Sequence, residues 1–204
     1  MKLPKEILIA SGNAGKVVEI SQLLEQLNIK GISAANFNII EPEETGLTFA
    51  DNSLLKAKFY SSKTNLFTLA DDSGLCIEDL NGDPGIYSAR WAINEEGKKD
   101  FNYAFDQISK AFKKNGKSFE KAKSHFICNL TLFDPKTNFS ISFEGRVDGF
   151  LTFPAKGNKG FGYDPIFIKE GMTETFGEID PKLKDQISHR ADAFKKMVEW
   201  LKSV

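Results

Sequence analysis

Residues 6–16, Glu-Ile-Leu-Ile-Ala-Ser-Gly-Asn-Ala-Gly-Lys, decide the fold class of this chain. The apolar run at the start of this stretch is typical of a buried β-strand, and turn-forming residues follow it directly. Apolar side chains then recur at helical spacing, which predicts a helix over about residues 15–28 that stops near Gly31. A strand, a tight loop and a helix in succession indicate an α/β protein.

The rest of the chain alternates helical and extended patterns, with no internal repeat and no obvious linker. Residues 48–51, Thr-Phe-Ala-Asp, resemble a capping box and predict the start of a second helix. Residues 134–138 have the composition of a hairpin turn between two extended stretches. We therefore expect an α/β fold with a mixed sheet. Further strands are predicted over residues 66–70, 75–78, 125–133, 139–150 and 165–168, and further helices over residues 101–112 and from Ser188 onward.

The composition is that of an ordinary globular protein. Its 204 residues, 41% hydrophobic and 27% charged, suit one domain or one domain with two lobes. The net charge of −1 argues against nucleic-acid binding through overall charge, and no apolar run approaches the ~18 residues of a membrane span. Cys76 and Cys128 lie far apart, as is typical of buried thiols in a reducing compartment. We therefore expect a cytoplasmic protein that binds neither nucleic acid nor membranes.

Residues 11–16 form a candidate anion site. They lie between a predicted strand and a predicted helix, where backbone N–H groups at a helix N-terminus and a nearby lysine attract phosphate. Gly12 and Gly15 are too close together for a Walker loop, and Val17 stands where that loop has Ser or Thr. A plain connection between a strand and a helix is the alternative.

Two acidic stretches supply candidate metal ligands. Residues 71–74, Asp-Asp-Ser-Gly, follow a predicted buried strand, and two acids at the end of a strand commonly hold Mg²⁺ or orient a water molecule. Because adjacent side chains of an extended segment point in opposite directions, we expect at most one of these acids to face a given site. Residues 43–46, Glu-Glu-Thr-Gly, add a further carboxylate. The alternatives are an Asp-rich turn and a solvated loop.

Two further motifs lie in the last quarter of the chain. Residues 161–164, Phe-Gly-Tyr-Asp, place two aromatic rings and an acid on a glycine-rich loop, suited to stacking on a nucleobase and accepting a hydrogen bond from its edge. A strand-entry turn with core aromatics is the alternative. His189 and Arg190 open the last predicted helix, where positive side chains oppose the helix dipole and therefore suggest a function.

Together these motifs favour hydrolysis of a nucleotide. They combine a phosphate-binding loop, carboxylates for a metal ion, an aromatic surface for a base and a basic helix start. A kinase or phosphatase that releases orthophosphate is disfavoured by the missing Walker spacing. A nucleotide-sensing module without catalysis would need no catalytic carboxylate, and the charge balance disfavours a nucleic-acid binder.

The sequence resembles the inosine/xanthosine triphosphate pyrophosphatase family. The matching segments occur in the family's order over nearly the whole chain, and such a set is highly specific. They are Ser-Gly-Asn-Ala-Gly-Lys at 11–16, Glu-Glu-Thr-Gly-Leu-Thr-Phe at 43–49, Leu-Leu-Lys-Ala at 54–57, Ala-Asp-Asp-Ser-Gly-Leu at 70–75, Pro-Gly-Ile-Tyr-Ser-Ala-Arg at 84–90, Phe-Gly-Tyr-Asp-Pro-Ile-Phe at 161–167 and Ser-His-Arg at 188–190.

The resemblance implies a two-lobed α/β fold with a long mixed sheet, a nucleotide in the cleft between the lobes, and a homodimer. It also implies Mg²⁺-dependent cleavage of inosine, deoxyinosine or xanthosine triphosphate to the monophosphate and pyrophosphate. Such an enzyme would remove these nucleotides from the cellular pool. The chain departs from the family at Ser11, where Thr is frequent, and at Asp51 and Ser53, where Glu and Ala are frequent.

The resemblance also implies roles for individual residues. Glu44 and Asp72 would be metal ligands, Asp72 would also be the general base, and Ser73 would touch the substrate. The residues implied for the triphosphate are Ser11, Gly12, Asn13, Ala14, Gly15, Lys16 and Lys56. The residues implied for the base are Phe161, Gly162, Tyr163, Asp164, Lys184, His189 and Arg190.

Overall fold

A computed structural model describes residues 3–203, and its centre is a six-stranded mixed sheet flanked by helices. The strands are β1 (Glu6–Ala10), β2 (Lys30–Ser33), β3 (Thr68–Ile77), β4 (Lys123–Asp134), β5 (Phe139–Leu151) and β6 (Phe167–Lys169). Their order in the sheet is β2-β1-β3-β4-β5-β6. The helices are α1 (Ala14–Glu25), α2 (Phe49–Thr64), α3 (Ser88–Trp91), α4 (Phe101–Lys114), α5 (Pro181–Ile187) and α6 (His189–Ser203).

Strand pairing confirms the mixed sheet that the sequence predicts. β1 runs parallel to both of its neighbours, with Leu8 opposite Ile32 of β2 and Thr68 of β3. At the other edge β5 and β6 are antiparallel, with Phe150 opposite Ile168. The predicted hairpin is also confirmed, since β4 and β5 are sheet neighbours joined by a short turn.

Gly31 does not stop the first helix, contrary to the sequence prediction. α1 ends at Glu25, and Asn28, with a φ of 55°, takes the left-handed conformation that turns the chain. Gly31 belongs to β2, where a Cβ atom would lie 2.6 Å from the Cδ1 atom of Ile9. The glycine therefore serves close packing rather than a helix stop.

Residues 71–74 are neither a turn nor the end of a strand. β3 continues through them without interruption from Thr68 to Ile77, and nearly all of its residues are buried. The sequence predicts two short extended segments here because consecutive Asp, Ser and Gly residues are uncommon inside strands. In the structure, Asp71 and Asp72 are interior strand residues, so their side chains project to opposite faces of the sheet.

The start of α2 agrees with the predicted capping box only in part. The Thr48 hydroxyl accepts a hydrogen bond from the backbone N–H of Asp51 at 3.0 Å, as an N-cap should. It also donates to the Asp51 carboxylate at 2.8 Å. Asp51 thus completes the cap through the threonine hydroxyl, in place of the backbone contact that a Glu makes in the full motif.

The chain divides into two compact units. Among the described residues, the first unit comprises 3–72, 128–145 and 190–203, and the second comprises 73–127 and 146–189. Within residues 3–203, no helix is both long enough and apolar enough to cross a membrane.

In the first unit, β1 is buried on both faces. Ile7 and Ile9 pack in a cluster with side chains of α1 and α6, whereas Leu8 and Ala10 pack in a cluster with side chains of α2. The same alternation continues in β3, where Leu69 belongs to the first of these clusters and Ala70 to the second. Helices on both faces explain why β1 reads as an unbroken apolar run.

The core of the second unit is rich in phenylalanine. Phe105, Ile108 and Phe112 of α4 lie on one helix face, as their spacing predicts, and all are buried. They belong to the same core as Phe126 and Phe167, whose ring centroids lie 4.6 Å apart. This core depends on large aromatic side chains, so truncating one of them should leave a substantial cavity.

We expect Phe112→Ala to lower the free energy of unfolding by about 3–5 kcal/mol, because Phe112 is 1% exposed and its removal combines lost burial with a cavity. The neighbouring exposed substitution Lys113→Ala should change it by less than about 0.5 kcal/mol. Urea denaturation followed by circular dichroism measures both. Equal effects of the two substitutions would contradict this description of the core.

Candidate active site

The loop between β1 and α1 is organised by its own side chains. Asn13 is the N-cap of α1, and its side-chain oxygen accepts hydrogen bonds from the N–H groups of Gly15 at 2.9 Å and Lys16 at 3.3 Å. Ser11 Oγ accepts in turn from the Asn13 N–H at 3.2 Å. The predicted anion-binding loop is therefore held in one conformation at a helix N-terminus.

Asp71 forms ion pairs with two positively charged side chains on one face of β3. Its carboxylate pairs with Lys16 Nζ at 2.5 Å and with Arg190 Nε at 2.9 Å, and it accepts from the Cys128 thiol at 3.0 Å. Arg190 also forms an ion pair with Glu19 of α1. Lys16 and Arg190, which the sequence places 174 positions apart, thus meet on one carboxylate.

The charge of Asp71 is stabilised although the residue is fully buried. Burial alone would raise the pKa of Asp71, but the nearby cations of Arg190 and Lys16 outweigh it and hold the pKa well below its usual value. The same contacts explain Arg190 at a helix N-terminus, because the carboxylates of Asp71 and Glu19 compensate the unfavourable helix dipole.

Asp72 faces a different set of partners. Lys56 Nζ of α2 lies 2.9 Å from Asp72 Oδ1 and 2.5 Å from Glu44 Oε1. Lys56 is 6% exposed, and the two carboxylates raise its pKa against the opposing effect of burial. The three residues therefore form a compact cluster with two negative charges and one positive charge.

The two carboxylates of this cluster differ in character. Burial outweighs the attraction of Lys56 and Lys16 and, with the neighbouring Glu44, raises the pKa of Asp72. For Glu44, burial is overcome by Lys56, which lowers the pKa. Among residues 3–203, no hydrogen-bond partner is found for the buried Oδ2 atom of Asp72. Asp72 therefore offers an unsatisfied acceptor with a higher proton affinity than an ordinary aspartate.

The carboxylates of Glu44 and Asp72 suit a magnesium ion whose remaining ligands are phosphate and water oxygens. Within the described residues, no group of three or more His, Cys, Asp or Glu side chains is arranged to hold a metal. Mg²⁺ typically takes only one or two protein carboxylates and completes its octahedron with water and phosphate oxygens. Glu44 and the open Oδ2 atom of Asp72 match that donor set.

Asn52, a residue that the sequence analysis did not assign, positions the segment bearing Glu44. It lies on the buried face of α2, is 1% exposed, and accepts a hydrogen bond from the Gly46 N–H at 2.7 Å. A Cβ atom at Gly46 would lie 2.6 Å from the Asn52 side-chain oxygen. The sequence does carry a sign of this role. Asn52, Ser53 and Lys56 lie on the same helix face as the apolar Ala57, and polar residues on a buried face indicate a specific function.

In the second unit, Asp164 organises the predicted base-binding loop. Its carboxylate accepts from Lys184 Nζ at 2.5 Å and from the Phe161 N–H at 2.8 Å. Lys184 Nζ also lies 4.5 Å from the centroid of the Phe161 ring. A Cβ atom at Gly160 would lie 2.1 Å from the Asp164 carboxylate, so this close approach requires glycine.

The two aromatic rings of this loop have different environments. Phe161 retains partial exposure, whereas Tyr163 is buried in the core, with its ring centroid 5.2 Å from that of Phe101. The Tyr163 hydroxyl donates to the Ser88 carbonyl at 2.8 Å. Tyr163 therefore fixes the loop from inside, as the core-aromatic alternative predicts for it, and Phe161 is the more exposed of the two rings.

His189 is buried at the start of α6 and stacks on Phe126 of β4, with ring centroids 4.8 Å apart and planes inclined by 14°. Ser73 directly follows Asp72 in β3 and is partly exposed. The structure thus forms two clusters from the predicted site residues. In the first unit, Arg190, which the resemblance implies for the base, shares Asp71 with Lys16, which it implies for the triphosphate. In the second unit, Asp164 contacts Lys184 and Phe161.

A family model matches almost the whole chain. The model described as the Ham1 family matches residues 7–200. This chain belongs to the Ham1 family. Two relatives, both named dITP/XTP pyrophosphatase, come from Zymomonas mobilis, with 42% identity over 96% of this chain and 91% of the relative, and from Rhodospirillum centenum, with 44% identity over 94% and 92%.

Solved structures agree with this assignment. A HAM1 protein from Coxiella burnetii, 33% identical, superposes with a TM-score of 0.85 and covers 98% of this chain and 100% of its own. The Ham1 protein of Staphylococcus aureus, also 33% identical, gives a TM-score of 0.78, with 98% and 99% coverage. These structures confirm the α/β fold with its mixed sheet.

We expect Asp71→Asn to destabilise the protein by about 3–5 kcal/mol, because it leaves the buried Arg190 and Lys16 without their shared counter-charge. Asp148→Asn is the matched control. Asp148 pairs with Arg146 at the surface, so its loss should cost less than about 1 kcal/mol. Urea denaturation at neutral pH measures both values, and similar values for the two variants would contradict the proposed importance of Asp71.

The pH dependence of stability provides a second measurement on the same variants. A carboxyl with a lowered folded-state pKa stabilises the fold above its unfolded pKa of about 3.9 and loses that contribution as the pH falls toward the folded value. Wild type should therefore lose more free energy of unfolding between about pH 5 and pH 3 than Asp71→Asn does. Parallel pH curves would contradict this.

Proposed function

We propose that this protein hydrolyses the triphosphates of non-standard purine nucleosides, namely ITP, dITP and XTP, to the monophosphate and pyrophosphate. The proposal rests on the different surroundings of two neighbouring residues of β3. On one face of the strand, Asp71 pairs with Lys16 of the loop predicted to bind phosphate. On the other face, Asp72 has a carboxylate oxygen without a hydrogen-bond partner among the described residues and a raised pKa. The dITP/XTP pyrophosphatase relatives support the choice of substrate.

The triphosphate would bind to the first cluster. Residues 11–16 lie at the start of α1, where the helix dipole favours an anion, and Lys16 adds a positive charge. Lys56 adds a second charge beside the carboxylates of Glu44 and Asp72. These groups would offset the negative charge of the substrate and hold its phosphates in place for attack.

Mg²⁺ would be held by Glu44 and Asp72 together with substrate oxygens. When bound, it supplies charge neutralisation for the phosphates and lowers the pKa of coordinated water. Lys56 keeps the two carboxylates close together at its Nζ atom, and Asn52 fixes the segment that carries Glu44. The protein residues therefore preorganise the donor set.

Asp72 is suited to act as the general base. Its raised pKa brings the proton affinity of the carboxylate closer to that of the ideal catalyst near neutral pH. The Asp72 carboxylate would accept the proton of a water molecule as the water oxygen attacks the α-phosphorus. The bond from that phosphorus to the bridging oxygen then breaks, and pyrophosphate leaves with the bridging oxygen and its electron pair.

The second cluster would bind the base. Phe161 offers a ring for stacking on the base. Asp164 offers a hydrogen-bond acceptor and Lys184 a donor, and the ion pair between them holds both side chains in position. We propose further base contacts from Gly162, from the backbone of Tyr163, whose side chain lies in the core, and from the start of α6. There, His189 and Arg190 are both buried and held by their neighbours.

We also propose that the enzyme acts as a homodimer in the cytoplasm and removes non-standard purine nucleotides from the nucleotide pool. The resemblance of the sequence to the inosine/xanthosine triphosphate pyrophosphatases supports the dimer. Cys76 and Cys128 support the compartment, since both are buried and neither forms a disulfide within residues 3–203.

Incubation of the protein with ITP and Mg²⁺ should yield IMP and pyrophosphate in equal amounts. Orthophosphate should appear only after an inorganic pyrophosphatase is added. Separation of the products by anion-exchange chromatography, with a phosphate assay run with and without the second enzyme, distinguishes the outcomes. Direct formation of IDP and orthophosphate would contradict the proposal, and binding of ITP without turnover would favour a nucleotide sensor.

Asp72→Asn should lower kcat for ITP by roughly 10²–10⁴-fold, because the amide keeps the shape of the side chain but can no longer take a proton. Its free energy of unfolding should not fall, since the raised pKa shows that the fold disfavours the charged form of Asp72. Steady-state kinetics and urea denaturation measure the two effects. Asp148→Asn is the control, and its kcat should equal that of wild type. A kcat for Asp72→Asn close to that of wild type would exclude Asp72 as the base.

A further inference from the structure

A carboxylate of the chain itself lies on the phosphate-binding loop. Glu41 Oε1 accepts a hydrogen bond from the backbone N–H of Gly12 at 2.7 Å, across 29 positions of sequence. A Cβ atom at Gly12 would come within 2.8 Å of the Glu41 carboxylate, so the glycine permits this approach. The Gly12 N–H group, at the loop predicted to bind triphosphate, is thus already bonded to a negatively charged oxygen.

Tyr60 of α2 lies at the same carboxylate. The side chain of Tyr60 is 1% exposed, and burial together with the charge of Glu41 and a hydrogen bond to it raises the pKa of Tyr60 to about 12. A tyrosine with a raised pKa keeps its proton and acts as a donor. The N–H of Gly12 and the hydroxyl of Tyr60 are therefore two donors that converge on one anionic group.

The segment that carries Glu41 has little apolar anchoring. It runs from Asn38, in the left-handed conformation, to Thr48, the N-cap of α2. Ile39 packs in part against the core cluster of β1 and α2, whereas Ile40 and Leu47 are 87% and 84% exposed. Its polar attachments include Glu41 on Gly12 and Glu44 on Lys56. A segment with so few buried apolar contacts opens at a low free-energy cost.

A carboxylate oxygen and a phosphate oxygen can both accept a hydrogen bond from the same N–H group, since both are anionic acceptors. A single N–H group cannot serve both at full strength, and two anions a few ångströms apart repel each other. A substrate phosphate that reaches Gly12 must therefore displace Glu41. The cost of that displacement reduces the apparent affinity for the substrate.

We propose that Glu41 competes with a substrate phosphate for an anion subsite formed by the backbone N–H of Gly12 and the hydroxyl of Tyr60. The proposal rests on the function proposed above in that it takes residues 11–16 to bind the triphosphate. It assigns Tyr60 as a residue that contacts phosphate, and it makes Glu41 an internal competitor that weakens nucleotide binding without taking part in the reaction.

The experiment compares Glu41→Ala and Glu41→Gln with Glu43→Gln. Glu43 lies on the same segment and is exposed, so Glu43→Gln makes the same change in net charge away from Gly12. Inorganic tripolyphosphate with Mg²⁺ is the probe, and its Kd is measured by isothermal titration calorimetry. We expect Glu41→Ala to lower Kd by roughly 3- to 30-fold, Glu41→Gln by less, and Glu43→Gln by under about twofold.

Tyr60→Phe should have the opposite effect. It removes the hydroxyl but preserves the ring, so it should raise the Kd for tripolyphosphate by roughly 3- to 10-fold. In turnover of ITP, Glu41→Ala should lower KM by a factor similar to that for Kd and leave kcat within about twofold of wild type. A residue that merely supported the fold of the segment would raise KM or lower kcat instead.

A measurement on the wild-type protein tests the same point without any substitution. The ¹⁵N–¹H resonance of Gly12 should shift when tripolyphosphate is added, and the side-chain carboxyl resonance of Glu41 should shift at the same midpoint as it is released. An unchanged Glu41 resonance at saturation, or a Kd in Glu41→Ala no lower than in Glu43→Gln, would overturn the proposal. Tighter tripolyphosphate binding in Glu41→Ala without any ITP hydrolysis would support it while refuting the proposed function.

Discussion

The buried carboxylate of Asp71 is the constraint on which the first unit depends. It accepts from Lys16 at the start of α1, from Arg190 at the start of α6, and from the Cys128 thiol of β4. A buried charge is tolerated only when it is paired and hydrogen-bonded, and here that requirement joins two helix starts to two strands. The position of residues 11–16, the loop predicted to bind phosphate, is therefore a consequence of charge compensation inside the protein.

The alternation of side chains along a strand lets one short segment perform two tasks. Asp71 lies on the face of β3 that packs with α1 and α6, and it is fully compensated. Asp72 lies on the face that packs with α2, and its pKa is raised by burial. The first residue stabilises the fold, and the second retains a buried oxygen without a hydrogen-bond partner among the described residues, as the proposed catalytic role requires. Adjacent residues of one type thus differ because their surroundings differ.

A third carboxylate, that of Glu41, extends this contrast. Its bond to Gly12 resembles the contact that a phosphate oxygen would make, and its segment has few apolar contacts to hold it. In the proposed role, such a group keeps the loop of residues 11–16 ordered and hydrogen-bonded, at the cost of weaker substrate binding. Preorganisation and competition are then two effects of the same hydrogen bond.

The sequence by itself determined the α/β class, the strand–loop–helix start, the apolar face of α4, and the family to which the chain belongs, because periodicity and motif order are local properties of the chain. Only the tertiary structure decided that residues 71–74 continue β3, that Gly31 lies in a strand, and that Arg190 meets Lys16 on Asp71. The contacts of Glu41 with Gly12 and of Asn52 with Gly46 also emerged only there. These features depend on which distant groups burial brings together, and no local pattern records how a buried charge finds its partner.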